Sequence, residues 1–233
     1  MSKKKLGVRN IQTILNLIPE GSRSLFDESL IERLYQDFQT TRINDDETIA
    51  SLRKILHEKR VLVLAAGKTI IDNKAGIARD IKDKGYYVIH INSVKGDYPI
   101  DMLFVSNSMK ADRMNVRSIP NIPIVTTSNI HGNKIQKPYV VDHSSLIGSG
   151  NDADNAGLML LTLLSKIGVS EVALAGFDGF SEDSSEYIQS VSHSYLQSGP
   201  EERNENMISG LTKLSRTLDI KFITPSLYNT GMF

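Results

Sequence analysis

The sequence predicts an α/β chain, with a mostly parallel sheet, helices on both of its faces, and an N-terminal helical appendage. Three observations carry this. From Arg60 onward, short apolar runs recur with β-branched residues inside them, as expected of strands covered on both sides. Amphipathic stretches of helical spacing stand between these runs, and such alternation implies a parallel, Rossmann-like core. Before Arg60 the apolar spacing is helical throughout.

Residues 1–58 form the expected appendage. Leu6, Ile11, Ile14, Leu15 and Ile18 mark a first helix that stops at Pro19. Leu25, Leu30, Ile31, Leu34, Tyr35 and Phe38 mark a second, with Asp27 as its candidate N-cap. Asn44-Asp45-Asp46-Glu47 opens a third, which buries Ile49, Leu52, Ile55 and Leu56. These acidic residues suit the helix dipole and are read as solvated capping. A hard cation would want several converging oxygens, and no metal site is expected.

Residues 59–233 form the expected α/β domain. Strand 61–66 feeds a helix through Ile70, Ile77 and Ile81, which Gly85 closes. Strands follow at 86–92, 102–106, 122–126 and 139–142. Helix 152–167, with Asp152 or Asp154 as its cap, ends at Gly168. Strand 172–176, a polar loop over about 181–200, helix 201–218 and strand 221–224 complete the chain. In such sheets ligands collect where the strands finish, here at Ala66/Gly67, Asn92, Ser106/Asn107 and Gly176/Asp178.

At 233 residues the chain can bury a sizeable core in one domain with an appendage. Lys+Arg and Asp+Glu both number 27, so net charge points to neither nucleic acid nor a membrane surface. The absence of cysteine excludes disulfides, thiolate metal sites and cysteine nucleophiles, and it fits a reducing compartment. No apolar run approaches the ~20 residues of a membrane span. The start, Met-Ser-Lys-Lys-Lys, lacks the apolar segment of a signal peptide. The reading is a soluble cytoplasmic protein for which a homo-oligomer stays open.

The stretch from Arg60 to Ile70 is the centre of interest. Ala65, Ala66 and Gly67 carry little side chain, so another group can approach the backbone. The helix that follows would aim its free N–H groups at that spot, which suits a phosphate. A plain turn between strand and helix reads the same way. Gly67-Lys68-Thr69 resembles the end of a P-loop, but that motif needs glycine where Leu62 stands. Lys68 still offers a positive charge to a diphosphate. G-x-G-x-x-G is absent, which disfavours a nicotinamide cofactor, and no cofactor is expected.

Asn92 and Asn107 each follow an apolar strand and offer donor and acceptor to a base edge or ribose; turn asparagines do the same job without a ligand. Gly148 to Gly157 runs into a helix start. Capping accounts for it, and an anion cradle is the alternative. Asp178, after a buried strand, suits ribose hydroxyls, a metal or its own turn. His193 is the best candidate for a general base, although a loop histidine is often only a surface residue. No two histidines have metal-ligand spacing.

Two resemblances follow from these residues. Asn10 to Pro19, Leu30 to Tyr35, Asp45-Asp46 and Arg60 to Thr69 resemble the C-terminal region of large bacterial aldolases of the 4-hydroxy-2-oxovalerate type. Those carry an HMG-CoA-lyase-like barrel and are often encoded in surface-polysaccharide loci; the barrel is missing here. Residues about 60–227 are similar to family 42 sialyltransferases and to MptE-like pyrophosphokinase domains. By that resemblance Ala66, Gly67, Lys68 and Thr69 stand at the nucleotide-binding turn, and Asn92 matches a CMP-binding asparagine. Asn155-Ala156-Gly157 matches a helix-start motif, and Gly176 to Phe180 matches a strand-end motif. The family's leaving-group tyrosine falls on Phe180. Its catalytic histidine falls near Glu202, with His193 nine residues earlier.

The resemblance implies a nucleotide or nucleotide-sugar binding domain, glycosyltransferase-like if catalytic, serving surface-polysaccharide synthesis. Ala66, Gly67, Lys68, Thr69, Asn92, Asn107, Asn155, Gly157 and Asp178 would hold the nucleotide, and His193 or Glu202 would deprotonate the acceptor. The alternative is a non-catalytic partner domain of a separate aldolase barrel protein.

Overall fold

The computed structural model describes residues 20–25, 27, 29, 31, 42–92, 97–107, 110–111, 121–130, 135, 138–147, 155–181 and 199–231. The first expected helix and most of the second lie outside these residues. Among those described, a 3-10 helix at Glu20–Leu25 comes first, followed by helix α1 at Asp46–Leu56.

Seven strands then form one all-parallel sheet. They are β1 (Val61–Leu64), β2 (Tyr87–Ile91), β3 (Met102–Val105), β4 (Ile124–Thr127), β5 (Tyr139–Val141), β6 (Glu171–Ala175) and β7 (Asp219–Phe222). Helices α2 (Thr69–Asp72) and α3 (Lys74–Lys84) lie between β1 and β2, α4 (Ala156–Ile167) between β5 and β6, and α5 (Pro200–Leu214) between β6 and β7. The strand order is β5-β4-β3-β2-β1-β6-β7. The chain winds outward from β1 to one edge, then returns to lay β6 against the other side of β1.

This is an α/β, Rossmann-like fold, and alternation along the central strands explains its two covered faces. Val61, Val63, Val172 and Leu174 face a core shared with α1, α4 and α5. Leu62, Leu64, Ala173 and Ala175 face the opposite side, where Ile70 of α2 and Ile77 of α3 pack. Within β1, Val61 pairs with Tyr87 of β2 and Val172 of β6, so both neighbours are in register with it. No helix among the described residues is long and apolar enough to cross a membrane.

Helix α1, placed by sequence in the appendage, reaches into this core: Leu52 and Leu56 are buried within it. Arg53 ties it to α4 by donating from Nε to Ile167 O at 2.9 Å and from Nη2 to Lys166 O at 3.3 Å. These are end-of-helix carbonyls that lack intrahelical donors.

Several boundaries differ from expectation. The single helix expected after β1 is two, because the chain breaks at Asn73 (φ −108°, ψ 22°). The Asn73 amide donates to Thr69 O at 3.0 Å, a side-chain bond that competes with helix continuation. Strand β4 starts after Pro123, which has no N–H for a ladder. Helix α4 starts at Ala156 with Asn155 as its cap, in place of the expected Asp152 or Asp154, both outside the described residues. Helix α5 starts at Pro200, a favoured first position, and ends at Leu214.

Replacing Leu52 by Ala should lower stability by about 2–5 kcal/mol in urea unfolding, the usual range for a fully buried leucine. A loss below about 1 kcal/mol would show that α1 is not part of the core.

Candidate functional site

The strand order reverses between β1 and β6, so their carboxyl ends flank the switch point where ligands bind in open α/β sheets. The two segments stay joined past the strands. Ala65 N–H donates to Ala175 O at 2.9 Å, and Gly67 N–H donates to Gly176 O at 3.0 Å. Asp178, buried at 8 % exposure, turns its carboxylate onto the turn after β1. Its Oδ2 accepts the Thr69 N–H at 2.9 Å, and its Oδ1 accepts the Thr69 hydroxyl. Position 67 must be glycine for this approach, because a Cβ there would lie 2.2 Å from Asp178 Oδ1.

Thr224 completes the arrangement. Its Oγ1 lies 3.2 Å from Thr69 Oγ1 and accepts the Gly176 N–H at 3.1 Å. Each hydroxyl has one proton, and Thr69 gives its own to the carboxylate, so Thr224 donates to Thr69. Leu227 N–H donates to Asp178 O at 2.9 Å, which holds the segment after β7 to the same point.

The sequence reading puts a phosphate over Gly67-Lys68-Thr69. The structure puts Asp178 there. The helix behind the turn, α2, is a single turn of four residues, and the N–H groups of Gly67 and Thr69 are both engaged within the chain. Ala66 is half-buried in the turn. Lys68 is exposed, and no carboxylate among the described residues pairs with its ammonium.

The asparagines share a different feature. Asn92 follows β2 with φ 57°, a left-handed conformation that asparagine tolerates better than most residues. Its Oδ1 accepts the Ser106 N–H at 3.0 Å. Asn107 Oδ1 accepts the Lys110 N–H at 3.0 Å. Asn155 Oδ1 caps α4 by accepting from Gly157 N at 2.8 Å and Leu158 N at 3.4 Å. Gly157 itself is buried against Phe177, whose Cε1 would lie 2.7 Å from a Cβ at that position. An acceptor of backbone N–H must be the amide oxygen, so each bond fixes which way the carboxamide faces. Among the described residues, no acceptor takes the amide N–H groups of Asn92, Asn107 or Asn155. The rim where the strands finish thus offers anchored N–H donors.

Of the two candidate bases, His193 lies outside the described residues. Glu202 is exposed in the first turn of α5. The sequence reading passed over its neighbours. Arg203 is buried, and its guanidinium carbon lies 3.4 Å from the centroid of the Phe180 ring, a cation–π contact. Asn204 holds Phe180 at both ends: Phe180 N–H donates to Asn204 Oδ1 and Asn204 Nδ2 donates to Phe180 O, each at 2.8 Å. The signal for Arg203 was present in its spacing, since it shares the buried face of α5 with Met207 and Leu211.

Compared with known proteins, the chain matches no family model, no curated protein and no solved structure. Fold and rim together define an α/β protein with a Rossmann-like parallel sheet, whose switch point is bridged by its own aspartate.

Substituting Gly67 by Ala should destabilise the chain by about 1–3 kcal/mol, as overpacking does. Combining it with Asp178→Ala should give a loss smaller than the sum of the two single losses by about 1 kcal/mol, because the carboxylate that the new Cβ meets first is gone, while the Gly176 carbonyl oxygen, 2.5 Å from that Cβ, still opposes it. Additive losses in a double-mutant cycle would show that the two residues do not touch.

Proposed function

We propose that this chain binds a nucleotide or nucleotide-sugar along the rim formed by the carboxyl ends of its strands, as a glycosyltransferase-like domain. The observation that carries this reading is the set of anchored asparagines. Asn92, Asn107 and Asn155 each engage their oxygen with a backbone N–H and leave amide donors for another group. Lys68 adds an exposed ammonium. Donors of this kind suit phosphate oxygens and the carbonyl edge of a base.

The turn at Gly67-Thr69 takes a structural role in this reading, since Asp178 engages its donors. The phosphate is met by the asparagine amides and Lys68. In the transferase version, an activated sugar loses its nucleotide to an acceptor hydroxyl, and Glu202 or His193 takes the acceptor proton. The motif resemblance to family 42 sialyltransferases read at Gly67, Asn92, Asn155 and Asp178 makes a cytidine nucleotide the first ligand to try.

Thermal unfolding with CMP, CDP, UDP and GDP tests the reading, because a ligand bound only by the folded state stabilises it by mass action. At a hundredfold excess over Kd the gain is about 2.7 kcal/mol. Asn92→Asp and Asn155→Asp each keep the anchoring oxygen and replace the amide donor by a negative charge. Both variants should fold like the parent chain and lose ligand affinity by at least ~10-fold. No stabilisation by any of the four nucleotides would overturn the proposal.

A further inference from the structure

The sheet is open, so it has two edge strands, β5 and β7. The chain itself meets the edge at β5. Val141 O accepts the Ser128 N–H from the side of β4 at 2.9 Å, so the next N–H, that of Asp142, points away from the sheet. Asp45, at the start of α1, takes that N–H with its Oδ2 at 2.8 Å.

The edge at β7 has no such cover among the described residues. Asp219 N–H donates to Ser170 O at 2.7 Å and Ile223 N–H to Leu174 O at 2.9 Å, so the odd-numbered residues of β7 turn their backbone groups toward β6. Alternation then turns the N–H and C=O of Ile220 outward. Among the described residues no strand pairs on that side and no group takes them. An edge of this kind is a template for a further strand.

The flanking side chains decide which strand fits. Ile220 is buried in the main core, while Asp219 and Lys221 project from the other face with their side chains 57 % and 52 % exposed. Lys221 Nζ lies 2.8 Å from Asp219 Oδ2 and 3.2 Å from Glu171 Oε1. An ammonium has three N–H donors, so one is left for a carboxylate from outside. A closed pair of identical edges is related by a two-fold axis, which sets the strands antiparallel. An axis through Lys221 would oppose two ammoniums. An axis through Ile220 lets Ile220 exchange both backbone bonds with its copy, and it sets each Asp219 directly opposite Lys221 of the other copy.

We propose that β7 is a self-association edge whose partner is a second copy of this chain, paired antiparallel about Ile220 so that one sheet continues through both copies. The charges act as a register lock. A lone lysine on an edge repels a passing strand, whereas an Asp-x-Lys edge accepts its own image. The strand has four residues and the interface is small, so the dimer is a transient one. This inference does not rest on nucleotide binding, and its test contains no nucleotide.

The full chain is followed by sedimentation velocity from about 5 μM to about 500 μM, where weak dimers of this size form. The expected result is a reversible monomer–dimer equilibrium. Lys221→Glu sets acid against acid twice, and Asp219→Lys sets base against base twice. Each should weaken dimerisation at least ~10-fold. An equimolar mixture of these two variants should dimerise within ~3-fold of the parent, because every opposed pair is then of opposite charge. The chain carrying both substitutions should recover to the same extent. In it the new lysine stands in register with Glu171, so an ion pair inside the chain is kept. Unfolding midpoints close to that of the parent show that each variant is folded. A parent that stays monomeric over the whole range, a Lys221→Glu chain that dimerises like the parent, or a folded double variant that fails to recover would overturn the proposal.

Discussion

The contact between the Asp178 carboxylate and the turn after β1 is the constraint on which the rest of the structure depends. It sits where the winding of the sheet reverses, between two strands that are neighbours in space and separated by the whole of the first half-sheet in sequence. The carboxylate accepts two bonds from Thr69, and the glycine at 67 leaves room for it. Thr224 and Leu227 bring the segment after β7 to the same place. One buried acidic group thereby joins the first crossover, the central strand β6 and the C-terminal segment. Bonds to a charged acceptor are stronger than neutral ones, about 1.5–3 kcal/mol each, so the arrangement is stabilising as well as geometric.

This constraint decides where the proposed nucleotide would be met. A phosphate over the turn would compete with a carboxylate that is already in place and pre-organised. The rim beyond it is different. Asn92, Asn107 and Asn155 are each held by a bond from their oxygen to backbone N–H, so their orientation is set before a ligand arrives. Pre-organised donors lose little entropy on binding, which is the usual source of affinity at polar sites.

Much of the fold was legible in the sequence because the central strands are buried on both faces. Val61 to Leu64 and Val172 to Ala175 are unbroken apolar runs, and a parallel sheet requires such runs at its centre. The apolar stripe of α4 was equally plain. What escaped were contacts between residues distant in sequence. Nothing near Thr69 signals that its partner is Asp178, 109 positions on. Nothing near Asp45 signals that its carboxylate leaves its own helix for β5. The break at Asn73 and the cap at Asn155 are local but turn on which of several nearby polar side chains reaches the backbone, and spacing does not rank them. Ile49, Leu52, Ile55 and Leu56 marked α1 as amphipathic without naming the surface it covers, which is the main core.

The claim that the strand-end rim receives a nucleotide through anchored amides is tested most directly by the side-chain NH₂ signals of the asparagines in ¹⁵N-correlated NMR spectra, recorded while CMP or CDP is added. The account predicts that the signals of Asn92, Asn107 and Asn155 shift together and saturate with one affinity, and that Asn73, whose amide is engaged with Thr69, stays in place. Movement confined to other asparagines, or no movement at millimolar nucleotide, would contradict it.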